Sequence, residues 1–335
     1  TFSNGAQAAP LEEAKLIIQN NYVGEVKGDI EKAATIDQLV DMLDLYSEHY
    51  TYKEFMALTN SIDQKNVGIG VVVEQVDEGV LIVNVIENGS AYEANLQAGE
   101  IITHVNGLSI KGYSTLDATS LIKGPEGTSV TLNLKKNDGA VYTKQLMRKA
   151  FSVPVVTSSL LYGNIGYISL SSFSDNGANE VKKVAIKLQQ QGAKSFIIDL
   201  QNNTGGYVTT AQQLISLFPN TPQAYIEKQK NKLLRVKSLG LNYKLPGTSR
   251  VLINRNSASA SEMVAASVID QQAATVYGEK SYGKGTVQGF YPLSDGSILK
   301  LTQAEFTGPN NTRINKVGVS PHIETKSNPL FLAHL

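Results

Sequence analysis

SRVLINRNSASASEMVAASVID, residues 249–270, changes character twice. It begins as an uninterrupted apolar run, passes through a loop of asparagine, serine and alanine, and continues with the apolar spacing of a helix. A short continuous run such as VLIN predicts a strand buried on both faces. The same rhythm surrounds it. GNIGYISL, KSFIIDL and AATVYG read as strands, and NEVKKVAIKLQQQ and TTAQQLISLF as helices, from residue 151 onward. Strands alternating with helices predict a mainly parallel α/β core covered on both faces. Ligands of such sheets sit beyond the carboxyl ends of the strands. That rule selects three loops: NNTGG at 202–206, NSASASE at 256–262 and GEKSYGKG at 278–285.

Upstream of this core the texture differs. LEEAKLIIQNNY and IDQLVDMLDLYSEHY carry helical stripes, so residues 1–65 read as an acidic helical region, with eleven acids against five lysines. VGIGVVVEQV, GVLIVNVI, EIITHVNG and GTSVTLNLKK, with SAYEANL and TLDATSLI between them, make residues 66–150 a β-rich domain with two short helices. Residues 151–328 form the α/β core and 329–335 a tail. A chain of 335 residues is long enough for several cores.

Lysine plus arginine equals aspartate plus glutamate at 30 each, so no overall charge favours nucleic acid. Seven bases and no acid in residues 228–250 read as a solvated hairpin. Cysteine is absent, which removes thiol nucleophiles and thiolate metal sites. His49, His104, His322 and His334 lack the spacing of paired ligands, so neither metal nor cofactor is expected. The polar, small-residue opening TFSNGAQAAP suits the start of a chain whose signal or anchor segment has been removed, hence an extracytoplasmic location.

GEKSYGKGTVQG, residues 278–289, is close to a phosphate-binding loop, but Gly285 stands where that loop needs Ser or Thr, and a β-like run replaces the helix. Phosphate binding is therefore excluded. The loop NSASASE offers Ser257, Ser259 and Ser261 at a strand-to-helix junction, where an oxygen nucleophile can lie beside free N–H groups. Taken alone, a serine N-cap with Glu262 in the first turn is the more ordinary reading. A nucleophilic serine needs a base, and a lysine serves when burial depresses its pKa. Lys284 lies between Gly283 and Gly285 with no acid among its immediate sequence neighbours. In an extended segment Lys284, Thr286 and Gln288 share a face, so the Gln288 amide can orient a neutral amine. The N–H groups of Gly205 or Gly206 and of Ala260 can share a developing oxyanion.

These residues resemble the carboxyl-terminal processing, or tail-specific, serine proteases, which also carry a PDZ domain. The resemblance rests on SASASE at 257–262, SYGKGTVQ at 281–288 and IIDLQNNTGG at 197–206, and it covers nearly the whole chain. It implies Ser259 as nucleophile, Lys284 as base and Gln288 as the residue that orients it, with Ala260 and one of Gly205 or Gly206 holding the oxyanion. The twenty-five residues from Ser259 to Lys284 match the family spacing. The fold class implied is multidomain α/β and β: an acidic N-terminal helical module, a PDZ-like β domain and a mainly parallel α/β protease core.

NVGIGVVV at 66–73 falls where the family's PDZ loop receives a terminal carboxylate, on Val67, Gly68, Ile69 and Gly70. The partners implied are protein or peptide substrates with free apolar carboxyl termini, and a second copy through the N-terminal helices. Lys123 stands where the family has an arginine linked to substrate-driven repositioning of the PDZ domain, and it lacks that residue's planar fork. Gln201 and Thr204 replace the family's arginine and proline. The relatives implied are bacterial. Two other readings compete: a catalytically silent PDZ scaffold, and a hydrolase that uses His322 as base.

Overall fold

A computed structural model describes residues 4–326 and 328–334; residues 1–3 of the opening stretch and Leu335 of the tail lie outside them. The chain builds two compact units, one from the described residues up to Ile62 and from Val155 onward, the other from Asp63–Pro154.

The first segment forms α1 (Asn4–Asn21), α2 (Ile36–Asp41), β1 (Glu48–Tyr50) and α3 (Tyr52–Ile62). Thr35 caps α2 by accepting the Gln38 N–H at 3.2 Å. The helix expected to run through IDQLVDMLDLYSEHY stops at Asp41. Its cause is Asp44, whose Oδ1 accepts the N–H groups of Tyr46 and Ser47 and the Ser47 hydroxyl at 2.9–3.1 Å, an alternative to helical bonding. The chain then extends, and Glu48–Tyr50 pairs antiparallel with Ile298–Lys300.

α1 buries Ala14 and Ile18, and the chain just beyond it Tyr22, together with Leu39, Leu43, Leu299 and Leu301. The acidic helices expected as a module of their own therefore belong to the unit that holds the α/β core. Their apolar stripe finds its partner surface there.

The second unit comprises β2 (Lys65–Gly68), β3 (Val71–Val76), β4 (Gly79–Val85), α4 (Ser90–Glu93), β5 (Ile101–Val105), β6 (Leu108–Ser109), α5 (Thr115–Ile122), β7 (Ser129–Lys135), β8 (Val141–Met147) and β9 (Lys149–Ser152). Its main sheet has the order β3-β4-β5-β7-β8, with β6 on β5, and β2 pairs separately with β9. Val80, Ile82, Ile102, Ile110, Leu132 and Leu134 fill its core. β3 is an edge strand, so one row of its backbone groups has no strand partner. Arg148 is buried and donates to the carbonyls of Leu121, Ile122 and Ser129, which ends α5 with a cation on its last carbonyls.

The remainder forms β10 (Val156–Leu161), β11 (Ile165–Leu170), α6 (Gly177–Gln190), β12 (Ser195–Asp199), α7 (Val208–Ser216), β13 (Gln223–Gln229), β14 (Lys232–Lys237), β15 (Ser249–Ile253), α8 (Ala260–Asp270), β16 (Thr275–Gly278), β17 (Thr286–Pro292), β18 (Ile298–Thr307), β19 (Ile323–Glu324) and α9 (Pro329–His334). One sheet runs β10-β11-β12-β15-β16-β19, parallel throughout except at β10.

The core is covered on both faces as expected, but unequally. α6, α7 and α8 pack into one cluster with Ile168, Phe196, Ile198, Val251 and Ile253, while Ile165, Ile197 and Leu252 on the other face meet Leu330 of α9. An apolar run shows that both faces are dry without showing what dries them. A second, antiparallel sheet has the order β1-β18-β13-β14, with β17 also on β18.

Candidate active site

The carboxyl ends of β12, β15 and β16 release three loops, and side-chain to main-chain bonds bind the loops together. Ser257 Oγ donates to the Leu200 carbonyl and Ser261 Oγ to the Asn203 carbonyl, each at 2.8 Å, and both serines are fully buried. Asn203, also fully buried, donates its amide to the Leu170 carbonyl at 2.8 Å and accepts the Ala258 N–H at 3.0 Å on its own carbonyl. The N–H of Tyr282 reaches the Ser257 carbonyl at 3.0 Å. Ser257 and Ser261 are thus committed to structure.

Ser259 is different. It is partly exposed, it is the N-cap of α8, and its backbone lies at φ 55°, ψ −112°. A non-glycine residue there is strained, and such strain collects at functional positions. A strained serine between a strand and a helix is the geometry that presents an oxygen nucleophile. The cap and nucleophile readings of the loop meet in one residue.

Glu262 was legible only as a first-turn acid. It is fully buried and accepts four hydrogen bonds: Oε2 from the N–H groups of Ser259 and Lys284, each at 2.8 Å, and Oε1 from Ser281 Oγ at 2.5 Å and the Gly283 N–H at 2.6 Å. One carboxylate therefore ties the serine loop to the lysine loop. Four donors compensate the charge that burial would otherwise penalise.

Lys284 is half-buried, and its Nζ lies 4.6 Å from the centre of the Tyr46 ring. Burial pushes its pKa below the usual lysine value, and the charge of Lys300 adds to this, while Asp44, Glu48 and Glu262 oppose it. The sequence neighbourhood of Lys284 is free of acids, but the fold brings Asp44 and Glu48 to it from the N-terminal segment. Gln288 donates its amide to Thr286 Oγ1 at 3.0 Å and to Thr302 Oγ1 at 3.2 Å, which places Thr286 and Gln288 on one face of β17. Among the described residues no hydrogen bond joins Lys284 Nζ to Ser259 or to Gln288.

The two glycines of the first loop play unequal parts. The N–H of Gly205 donates to Asn203 Oδ1 at 2.9 Å. Phe173 bridges Gly206 in parallel, bonding the Gly205 carbonyl at 3.0 Å and the Tyr207 N–H at 2.8 Å, so the Gly206 N–H is turned away from Phe173. Among the described residues neither this N–H nor that of Ala260 has a partner. Gly205 packs on the serine turn so closely that a methyl group there would lie 2.9 Å from Ser259 Cβ and 3.1 Å from Ala260 N.

His322 takes no part in this cluster: its Nδ1 accepts the Val276 N–H at 3.0 Å. In the other unit, Val67 and Gly68 pair with Ala150 and Lys149, and the carbonyls of Ile69 and Gly70 accept the N–H groups of Ala91 and Ile86. The N–H groups of Ile69 and Gly70 have no partner among the described residues. Gly70, at φ +81°, passes so close to Gly89 that a Cβ would lie 2.6 Å from the Gly89 Cα. Lys123 is exposed just after α5, and its Cγ lies 3.9 Å from where a Cβ on Gly68 would sit. Among the described residues no group of three acids or histidines is placed to hold a metal ion, and no helix is long and apolar enough to cross a membrane.

Residues 164–325 match peptidase family S41, and residues 81–136 match the PDZ domain. The chain is 30% identical over 324 residues to a probable CtpA-like serine protease of Staphylococcus haemolyticus (strain JCSC1435), covering 95% of this chain and 64% of that protein. It is 30% identical over 332 residues to the carboxy-terminal processing protease CtpA of Bacillus subtilis (strain 168), covering 96% and 71%. The chain thus spans 64% to 71% of the length of these curated relatives. The structure of a photosystem II D1 C-terminal processing protease superposes with a TM-score of 0.59 at 24% identity, over 98% of this chain and 94% of that one, and has the same fold.

Proposed function

The chain belongs to peptidase family S41, alongside the carboxy-terminal processing serine proteases, and from that premise we propose that it is a serine endopeptidase working through Ser259 and Lys284. Ser259 Oγ attacks the scissile carbonyl while Lys284 Nζ takes its proton. The tetrahedral oxyanion is held by the N–H groups of Ala260 and Gly206. Collapse breaks the C–N bond, Lys284 returns the proton to the leaving amine, and an acyl-enzyme remains. Water then attacks the ester with Lys284 again as base, and Ser259 regains its proton as the new carboxyl terminus leaves. Gln288, its amide nitrogen held by two threonines, presents its oxygen to the lysine.

The observation that carries this reading is the division of labour among three serines. Two spend their hydroxyls on carbonyls, and the third sits strained and partly exposed at the start of α8. The test is cleavage of an unstructured substrate ending in apolar residues. Ser259→Ala and Lys284→Ala are expected to abolish it and His322→Ala to preserve it. Full activity of the Lys284 variant would remove the Ser-Lys assignment, and binding without cleavage by the wild type would leave a scaffold.

The PDZ domain is proposed to read the substrate's tail. The unpartnered N–H groups of Ile69 and Gly70 suit a terminal carboxylate, Lys123 adds a cation beside the same loop, and the open edge of β3 suits an extended peptide. Amidating the substrate's carboxyl terminus is expected to raise KM. An unchanged KM would argue against this role. An extracytoplasmic location is part of the same proposal.

A further inference from the structure

Tyr46 lies in the turn that leads into β1, and Glu48 and Tyr50 share one face of that strand. Two lysines meet this segment. Lys300 is cross-strand from Glu48, contacts its Oε2 at 2.5 Å and lies 5.7 Å from the Tyr50 ring centre. Lys284 lies 4.6 Å from the Tyr46 ring centre. The two lysines differ in one respect: Lys300 has a carboxylate of its own, whereas Lys284 makes no ion pair among the described residues.

Resting on the Ser-Lys reading above and deepening it, we propose that Tyr46 is a positioning residue for Lys284, its ring docking the ammonium form of the base and setting how readily that base gives up its proton. A cation over an aromatic face within about 6 Å of the centroid is held by the ring's quadrupole, more firmly where water is excluded. The ring is itself fixed. Asp44 Oδ1 accepts the Tyr46 N–H at 3.1 Å, and the adjoining Ser47 hydroxyl accepts the Thr302 N–H at 3.2 Å, which fastens the turn to β18. The charged groups around Lys284 come from four elements: Asp44 from the turn, Glu48 from β1, Glu262 from α8 and Lys300 from β18. Tyr282 adjoins Tyr46 from the lysine's own loop. Lys300 destabilises the ammonium, and the three acids stabilise it from farther away than an ion pair. Among the described residues Lys284 Nζ makes no ion pair, and the Tyr46 ring is the aromatic face it meets.

The sign follows from this arrangement. Without the π face the ammonium form loses that attraction, so the Lys284 pKa falls and activity appears at lower pH. The experiment is the pH profile of kcat/KM for wild type, Tyr46→Phe and Tyr46→Leu, with folding checked by circular dichroism. Tyr46→Leu is expected to move the acid limb down by about half a unit to one unit, and Tyr46→Phe, which keeps the ring, by clearly less. If Tyr46→Leu does not fold, Tyr46→Met, also without a π face, is read on the same limb. An unmoved limb in the ringless variant, or an equal shift in Tyr46→Phe, overturns the proposal. Ser259→Ala and Lys284→Ala serve as controls: if they cleave normally the Ser-Lys reading falls, whereas inactive controls with an unmoved limb sink only the role of Tyr46.

Discussion

Glu262 Oε2 accepts the main-chain N–H of Lys284 at 2.8 Å, and the same oxygen accepts that of Ser259 at 2.8 Å. The proposed nucleophile and base sit on loops from different strands, so their relative position depends on what ties those loops together. Replacing Glu262 by glutamine keeps the shape but turns an NH2 toward N–H donors, leaving buried groups unpaired at a cost of ~1–3 kcal/mol for each. Glu262→Gln is expected to lower the urea midpoint and to lower kcat by about a hundredfold or more through misplacement of the reacting groups. Near wild-type kcat in a folded variant would show that the loops hold their register without it.

The depressed pKa of Lys284 fixes two signs. The proposed mechanism requires the free amine, so kcat/KM is expected to rise with pH along a single deprotonation whose midpoint lies below the usual lysine value. For stability, the unfolded chain binds the proton more tightly than the folded one, so unfolding free energy rises with pH between the folded value and that of a free lysine. The favourable share is complete above the unfolded value and is lost as pH falls through the folded one. Urea titrations of wild type and Lys284→Met at about pH 7 and about pH 10 check this. The wild type should gain on the variant at the higher pH, and a constant difference would mean that burial does not shift this group.

Three serines within five residues are expected to give three different phenotypes. Ser259→Ala keeps a Cβ at the same positive φ and relieves no strain, so it should leave stability near wild type or lower it slightly through loss of the helix cap, and eliminate cleavage. Ser257→Ala unpairs the Asn254 N–H and so should cost ~1–3 kcal/mol, whereas Ser261→Ala removes one of two hydrogen bonds to the Asn203 carbonyl, which keeps the Ala258 N–H, and should cost only ~0.5–1.5 kcal/mol, each with residual activity. A fluorophosphonate probe followed by peptide mapping should label Ser259 alone. Labelling at Ser257 would reverse the assignment.

Much of this site was legible because its chemistry is local. SASASE and SYGKGTVQ lie at the carboxyl ends of buried strands, and a continuous apolar run such as FIIDL or VLIN identifies those strands without knowledge of the rest of the fold. What escaped was carried by distant contacts. Tyr46 meets Lys284 across more than two hundred residues of chain, and the acid-free surroundings of that lysine held in sequence but not in space. The helical stripe through residues 36–50 was real as far as Asp41, where an Asx turn at Asp44 outcompeted it. The choice between Gly205 and Gly206 could not be made from NNTGG, because it depends on Asn203 capturing one N–H and on Phe173 turning the other away.

That last distinction supports a sharp test. Gly205 donates its N–H to Asn203, yet its Cα packs on the serine turn, where a methyl group would come within 3.1 Å of the Ala258 carbonyl and the Ala260 nitrogen at a backbone φ of +107°. Gly205→Ala therefore acts on the oxyanion site indirectly, by displacing the Ala260 N–H. Gly206 stands at φ +145°, where a methyl group would lie 2.4 Å from the Phe173 carbonyl oxygen, so Gly206→Ala disrupts the bridge that aims its own N–H. Loss of one oxyanion donor lowers kcat by about a hundredfold to a thousandfold, and both variants are expected in that range with KM little changed. If the two donors hold the same oxygen as proposed, the double variant should lose less than the product of the single losses. Measured kcat values for the two single variants and the double variant decide the matter: a folded Gly205→Ala protein with wild-type kcat would detach Ala260 from the oxyanion, and fully multiplicative losses would mean that the two N–H groups do not serve one site.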